Sequence, residues 1–258
     1  MYSRSSIRWA TGLAMTLCLQ WTDASGGVML GGTRLIAHEK KREASISMKN
    51  TGTAPYVVQA WIDAGEGENK TPFIVTPPLS RLDPGMENSL RVMRGPAPLP
   101  GERESVFWLN VKEIPEKSSE ENVLQMAVRT RIKLFYRPAG LIGNASEARE
   151  RLQWAVSNGD KGGAVLKVAN PTPYHVTLTS LNINEGQQEI NADMLAPFGE
   201  LIYPLTGIER PQEIEVIFPT LDDYGAETPQ EKVKVSPADK PSSVKAEVVK
   251  RPAANADR

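Results

Sequence analysis

In residues 122–138 an apolar side chain recurs at every second position from Leu124 through Met126 and Val128, and again at Ile132 and Leu134. Period-two alternation marks a β-strand, whose side chains point to opposite faces in turn. At roughly 3.3 Å per residue, a strand of about 15 residues is unusually long for a globular domain and outruns one half-buried core face. Part of it is expected to reach past its own sheet. Proteins normally blunt an unpaired apolar strand because it aggregates, so its retention implies pairing with another chain. Ile132 and Leu134 are expected to fill the protein's own core.

The rest of the chain reads as more short strands. Candidates at 28–36, 44–49, 55–62, 72–76, 88–93 and 105–113 precede 122–136, with turns at Asn50-Thr51-Gly52, Gly65-Glu66-Gly67, Pro77-Pro78, Asp83-Pro84-Gly85 and from Gly95 to Gly101. Gly and Pro supply the backbone conformations that turns require. About seven strands at this spacing predict an immunoglobulin-like sandwich. Pro138, Gly140, Gly143 and Asn144 mark a hinge, and Ser146 can cap a short helix reaching Trp154. A second series follows at 163–169, 174–182, 187–191, 200–205, 212–218 and 231–235. The expected fold is all-β, with two immunoglobulin-like β-sandwich domains at 25–137 and 149–235 joined by a hinge at 138–148. Residues 236–258, rich in Pro, Ala, Ser and charge without an aromatic residue, are expected to form a disordered tail.

The first 24 residues give the compartment. Arg4 and Arg8 precede an apolar stretch from Trp9 to Leu19, and the small residues Thr22 and Ala24 stand before Ser25. This reads as a secretory signal peptide over residues 1–24. Its apolar core is shorter than the roughly 20 residues a membrane span needs, so the mature protein is expected to be soluble and exported. Removing Arg4, Arg8 and Asp23 from 30 basic and 31 acidic residues leaves 28 against 30, a balance that points to neither nucleic acid nor an anionic membrane. Cys18, the one cysteine, leaves with the leader, so packing must hold the fold without disulfides.

Several stretches together resemble the periplasmic pilus chaperones of the chaperone-usher pathway, the PapD-like family. They are 32–36 (Gly-Thr-Arg-Leu-Ile), 56–61 (Tyr-Val-Val-Gln-Ala-Trp), 72–78 (Pro-Phe-Ile-Val-Thr-Pro-Pro), 81–85 (Arg-Leu-Asp-Pro-Gly), 103–110 (Arg-Glu-Ser-Val-Phe-Trp-Leu-Asn), Ile114-Pro115 and 122–138, then Asn170-Pro171-Thr172-Pro173-Tyr174 and Asp223-Tyr224-Gly225. The likeness spans roughly residues 27–235 and keeps one order throughout. It implies two immunoglobulin-like domains at an angle with a subunit-binding cleft between them, and a periplasmic location.

The resemblance also implies roles. Arg34 and Lys133 would hold the C-terminal carboxylate of a pilus subunit, the guanidinium as a bidentate donor and the ammonium as a point charge. Leu124, Met126 and Val128 would insert into the groove of a subunit lacking one strand. Lys133 has the opposite parity to that row, which a bulge or strong twist would reconcile. Glu104, Arg137 and Asp223 would form an interdomain charge network, with Asp222 as the adjacent alternative to Asp223. The short loop from Pro115 to Glu121, without cysteine, is similar to the branch of the family tied to rod-like pili.

Catalysis has little to stand on. His38 and His175 have no companions at metal-ligand spacing and read as structural. No Gly-rich phosphate loop follows a strand, and Asn144-Ala145-Ser146 reads as hinge sequence rather than a glycosylation site. The expectation is a non-enzymatic chaperone without cofactor or metal, whose partners are pilus subunits and an outer-membrane usher. The alternative is an immunoglobulin-like structural or adhesive component of a surface organelle.

Overall fold

The computed structural model describes residues 27–65, 68, 70–117, 124–160 and 162–237, together with the backbone of 247–248. The leader at 1–24 lies outside these residues, as do 118–123 of the long loop and strand. The fold is all-β.

The first domain runs β1 (Val28–Leu30), β2 (Arg34–His38), β3 (Glu43–Asn50), β4 (Tyr56–Asp63), β5 (Phe73–Thr76), β6 (Leu79–Leu82), β7 (Glu87–Arg94), β8 (Ser105–Pro115) and β9 (Val128–Arg137). They form two sheets, ordered β1-β3-β7-β5 and β2-β9-β8-β4-β6. Alternate side chains of each sheet, Met48 and Leu90 from one and Leu109 and Leu134 from the other, meet in a core without solvent. Ile132 is buried in the same core.

Two sequence expectations change here. The candidate strand 28–36 is two strands in different sheets: β1 pairs with β3, and β2 runs parallel to β9. The break falls at Gly31-Gly32-Thr33, where the chain crosses from one sheet to the other and the inward parity changes, from Val28 and Leu30 to Leu35 and Ala37. The long strand is also shorter than its pattern, because β9 begins at Val128. The β8–β9 ladder ends at the Glu113–Val128 pair; two residues further, Pro115 has no N–H to extend it.

The second domain contains β10 (Gln153–Asn158), β11 (Ala164–Ala169), β12 (Val176–Leu178), β13 (Ser180–Ile183), β14 (Gln188–Asn191), β15 (Met194–Leu195), β16 (Glu200–Pro204), β17 (Ile214–Phe218), β18 (Thr220–Leu221), β19 (Glu231–Val235) and β20 (Glu247–Val248). Leu166, Leu178, Leu181 and Phe218 lie at its centre. The candidate 174–182 is again split, at Thr179, into β12 and β13 of different sheets. The short helix is a 3-10 turn over Ala145–Arg151, with Asn144 rather than Ser146 at the N-cap position and no side-chain cap bond. Trp154 belongs to β10 and packs on Phe218 with ring centroids 4.7 Å apart. Of the tail, Ser236, Pro237 and β20 are described, and β20 pairs with β19.

Candidate functional site

The two domains meet where the end of β9 approaches β12 and the turn Asp222–Gly225. Arg137, the last residue of β9, donates from Nε to the Glu104 carboxylate at 2.5 Å and from Nη1 and Nη2 to both oxygens of Asp223 at 2.6 and 2.8 Å. Burial alone would push its guanidinium down, but the hydrogen bonds and charges of Asp223 and Glu104 hold it above its ordinary value. Asp223 is the reciprocal case. Burial would raise it, yet the Arg137 bond and charge keep its carboxyl below the usual range. Asp222 does other work, accepting the N–H groups of Tyr224 and Ala226 to close the turn. Glu104 is bonded further from the second domain: its other oxygen accepts the His175 N–H at 2.8 Å and faces His175 Nδ1 at 3.2 Å. The Glu104 N–H also donates to the Pro173 carbonyl. His175, read from the sequence as structural, thus belongs to the domain junction.

Gly225 seats this turn against the first domain. Its φ of +83° lies in the left-handed region, and a Cβ there would overlap the Thr33 hydroxyl. That contact sits one residue before Arg34.

Arg34 and Lys133 are register partners across the parallel β2–β9 pair. Both are partly buried, and among the described residues neither forms an ion pair or a hydrogen bond to a carboxylate. The Arg34 Nε is buried with no partner, while its guanidinium lies 5.8 Å from the centre of the Phe135 ring. Burial lowers the Arg34 pKa against the more distant charges of Asp223, Asp222 and Glu104. Burial also lowers that of Lys133, and the neighbouring Arg34 charge adds to it. Among the described residues, two adjacent and partly desolvated cations therefore stand without a bonded acid, an arrangement that favours an anion beside them.

The parity of β9 is settled by its register. The β8–β9 ladder runs without interruption from Ser105–Tyr136 to Glu113–Val128, so of the two alternatives, a bulge or a strong twist, this paired stretch holds no bulge. Its two rows face opposite ways. Ile132, Leu134 and Tyr136 fill the core, whereas Arg129, Arg131, Lys133 and Arg137 line the other face. Leu124, Met126 and Val128 share the core parity but lie beyond the core, 85%, 72% and 50% exposed. Leu124–Ala127 is described without strand pairing.

The outer face carries a feature that sequence reasoning missed. Arg129 lies over Trp61 at 5.0 Å and Arg131 over Trp108 at 4.6 Å, both measured to the ring centroid. Buried Asp63 accepts from Arg131 at 2.7 Å and from Asn110 at 2.7 Å, which locks the stack. The tryptophans and Asp63 come from β4 and β8, so no local spacing in the sequence announces them.

Comparison with known proteins identifies this arrangement. Residues 27–142 match the model for the pili and flagellar-assembly chaperone PapD N-terminal domain, and residues 147–232 match the model for the pili assembly chaperone PapD C-terminal domain. The chain belongs to the PapD family of pili assembly chaperones. The probable fimbrial chaperone LpfB of Escherichia coli is 42% identical over 219 residues, covering 83% of this chain and 91% of that protein. The chaperone protein FimB/FhaD of Bordetella pertussis is 41% identical over 85% of this chain and 93% of its own length. Among solved structures, the YadV chaperone has a TM-score of 0.69 at 35% identity, covering 81% of this chain and 99% of that one. The Salmonella enterica SafA pilin in complex with the SafB chaperone gives 0.70 at 27% identity, with 80% and 95% covered.

Within this PapD-family chaperone, Arg137 of the interdomain triad and Lys133 of the cation pair stand on the same face of β9. Val128 opens β9 on the opposite parity, and Leu124 and Met126 continue that parity beyond the strand's start. No helix among the described residues is long and apolar enough to cross a membrane.

Proposed function

We propose that this chaperone works in the periplasm by holding pilus subunits until an outer-membrane usher takes them. Leu124, Met126 and Val128 insert into the groove of a subunit that lacks one strand, and Arg34 with Lys133 anchors that subunit's C-terminal carboxylate. The observation that carries this reading is the Arg34–Lys133 pair: two partly desolvated cations in register, with no acid among the described residues bonded to either. A carboxylate there gains charge-assisted hydrogen bonds worth about 1.5 to 3 kcal/mol each and relieves the repulsion between them. Anchoring a chain end also sets the register of whatever lies along β9.

The exposed apolar row supports the second half. Burying each side chain contributes about 1.5 to 3 kcal/mol, in addition to a main-chain ladder that Leu124–Ala127 leaves unmade. Strand exchange of this kind draws on the subunit's own folding, so the reading needs no nucleotide. The Glu104–Arg137–Asp223 network fixes the angle between domains 25–137 and 149–235, and so the cleft that the subunit enters.

The test is co-expression with pilus subunits and recovery of the complex. Arg34→Ala and Lys133→Ala are each expected to abolish co-purification while the chaperone remains folded. Full recovery of subunit by the double variant rules out the carboxylate anchor.

A further inference from the structure

Just beyond the cation pair, a cavity of about 260 Å³ lies between the domains, many times the 10–15 Å³ or so that one water needs. Resting on the reading of Arg34 and Lys133 as a carboxylate anchor, we propose that this cavity receives the side chain of the captured subunit's last residue, and that it selects a neutral aromatic one.

The position follows from connectivity. A terminal carboxylate and its own side chain hang from the same Cα, so a pocket for that side chain must adjoin the anchor. Arg34 belongs to both: its guanidinium is one half of the cation pair, and it lines the cavity. Lys133 does not line it, but Phe135, the next residue on the same face of β9, does. A chain lying along β9 from Val128 and ending opposite Lys133 therefore has the cavity directly ahead of its terminus.

The selectivity follows from the walls. Phe135, Val176, Leu221 and Tyr224 offer rings and branched carbons on opposing sides. Charges of both signs line it too: Arg149 is paired with Glu231 and Arg137 with Asp223, and Asp222 stands beside them. A charged side chain of either sign would lose its hydration and meet a like charge. A small side chain would leave the space unfilled. A phenylalanine or tyrosine ring meets neither objection, and the Ser146 residue at the cavity wall can accept a phenolic hydroxyl.

The experiment uses the full mature chaperone and labelled peptides of alternating valine and threonine, identical except at the last residue: tyrosine acid, alanine acid, glutamate acid and tyrosine amide. The tyrosine acid is expected to bind about tenfold more tightly than the alanine or glutamate acid, roughly 1.4 kcal/mol at room temperature, and the amide more weakly than any acid. Ser146→Trp, at an exposed position, should fill the mouth, removing the tyrosine advantage while alanine-acid binding stays unchanged. Equal affinity of the tyrosine and alanine acids, with the tyrosine amide still weaker than both, overturns the pocket and leaves the anchor standing. Indifference to amidation, or no measurable binding by any acid, overturns both.

Discussion

Lys133 and Arg137 sit on one face of β9, and the chain completes one and leaves the other open. Arg137 has a carboxylate on each side of its guanidinium, one from each domain. Lys133 has a second cation, Arg34, as its register partner. Both sites are desolvated, and a desolvated charge without a partner is costly. A chain that neutralises Arg137 and, among its described residues, leaves Lys133 of the same strand and Arg34 of the neighbouring β2 without an acid uses charge in two different ways. At Arg137 it joins parts of the protein. At Lys133 and Arg34 it is held ready for something else.

The widest separation between the two sites should appear in stability. Arg137→Ala leaves the buried Glu104 carboxylate, 3% exposed, with its cationic partner gone, and removing one member of a buried pair costs about 3 to 5 kcal/mol. Lys133→Ala removes an unneutralised charge and should stay within about 0.5 kcal/mol of the parent or gain slightly. Chemical denaturation of the three proteins side by side checks this. A loss for Lys133→Ala as large as that for Arg137→Ala would mean that both charges are structural and would erase the contrast.

A smaller effect distinguishes the two ends of β9 by binding. Met126 is 72% exposed, so Met126→Glu should leave the melting temperature unchanged. Subunit capture should weaken by at least the lost burial, about 1.5 to 3 kcal/mol or roughly tenfold to a hundredfold. The same change at Ile132, which is buried in the chaperone's own core, should instead prevent folding. Undiminished capture by Met126→Glu would confine subunit recognition to the cation pair.

How much of this was legible beforehand varies by the kind of feature. Alternation at Ile132, Leu134 and the residues before them identifies β9 and its faces, because side-chain parity is a local property. The sheet switch at Gly31–Thr33 left only a local trace, a change of inward parity from Val28 and Leu30 to Leu35 and Ala37 across two glycines, inside a stretch that otherwise reads as strand. The end of β9 was readable in principle from Pro115, which cannot donate to the ladder, but only once β8 and β9 are known to pair. Contacts across the cleft were not local at all. Arg137 bonds Asp223 across 86 positions, and His175 meets Glu104 across 71. Family likeness pointed to Glu104, Arg137 and Asp223. It did not point to His175, the Trp61–Arg129 stack or the Trp108–Arg131 stack, whose partners only the fold assembles.

The smallest effect separates the two sites by pH. Asp223 in the completed site has a folded pKa below its unfolded value. The stability it contributes is therefore present above the unfolded carboxyl range, near pH 4, and is lost as pH falls through the lower folded value. Arg137→Ala should flatten this acid limb. The open site responds at the other end of the scale. A carboxylate binds the charged form of Lys133, whose pKa is lowered by burial and by Arg34, so affinity should fall as pH rises through that lowered value, before an ordinary lysine would titrate. Lys133→Arg replaces the group with one that stays protonated throughout. Anisotropy of a labelled free-acid peptide, followed from neutrality to about pH 11, should then decline for the parent and stay level for Lys133→Arg. Parallel declines in both would move the titrating group elsewhere and remove Lys133 from the anchor.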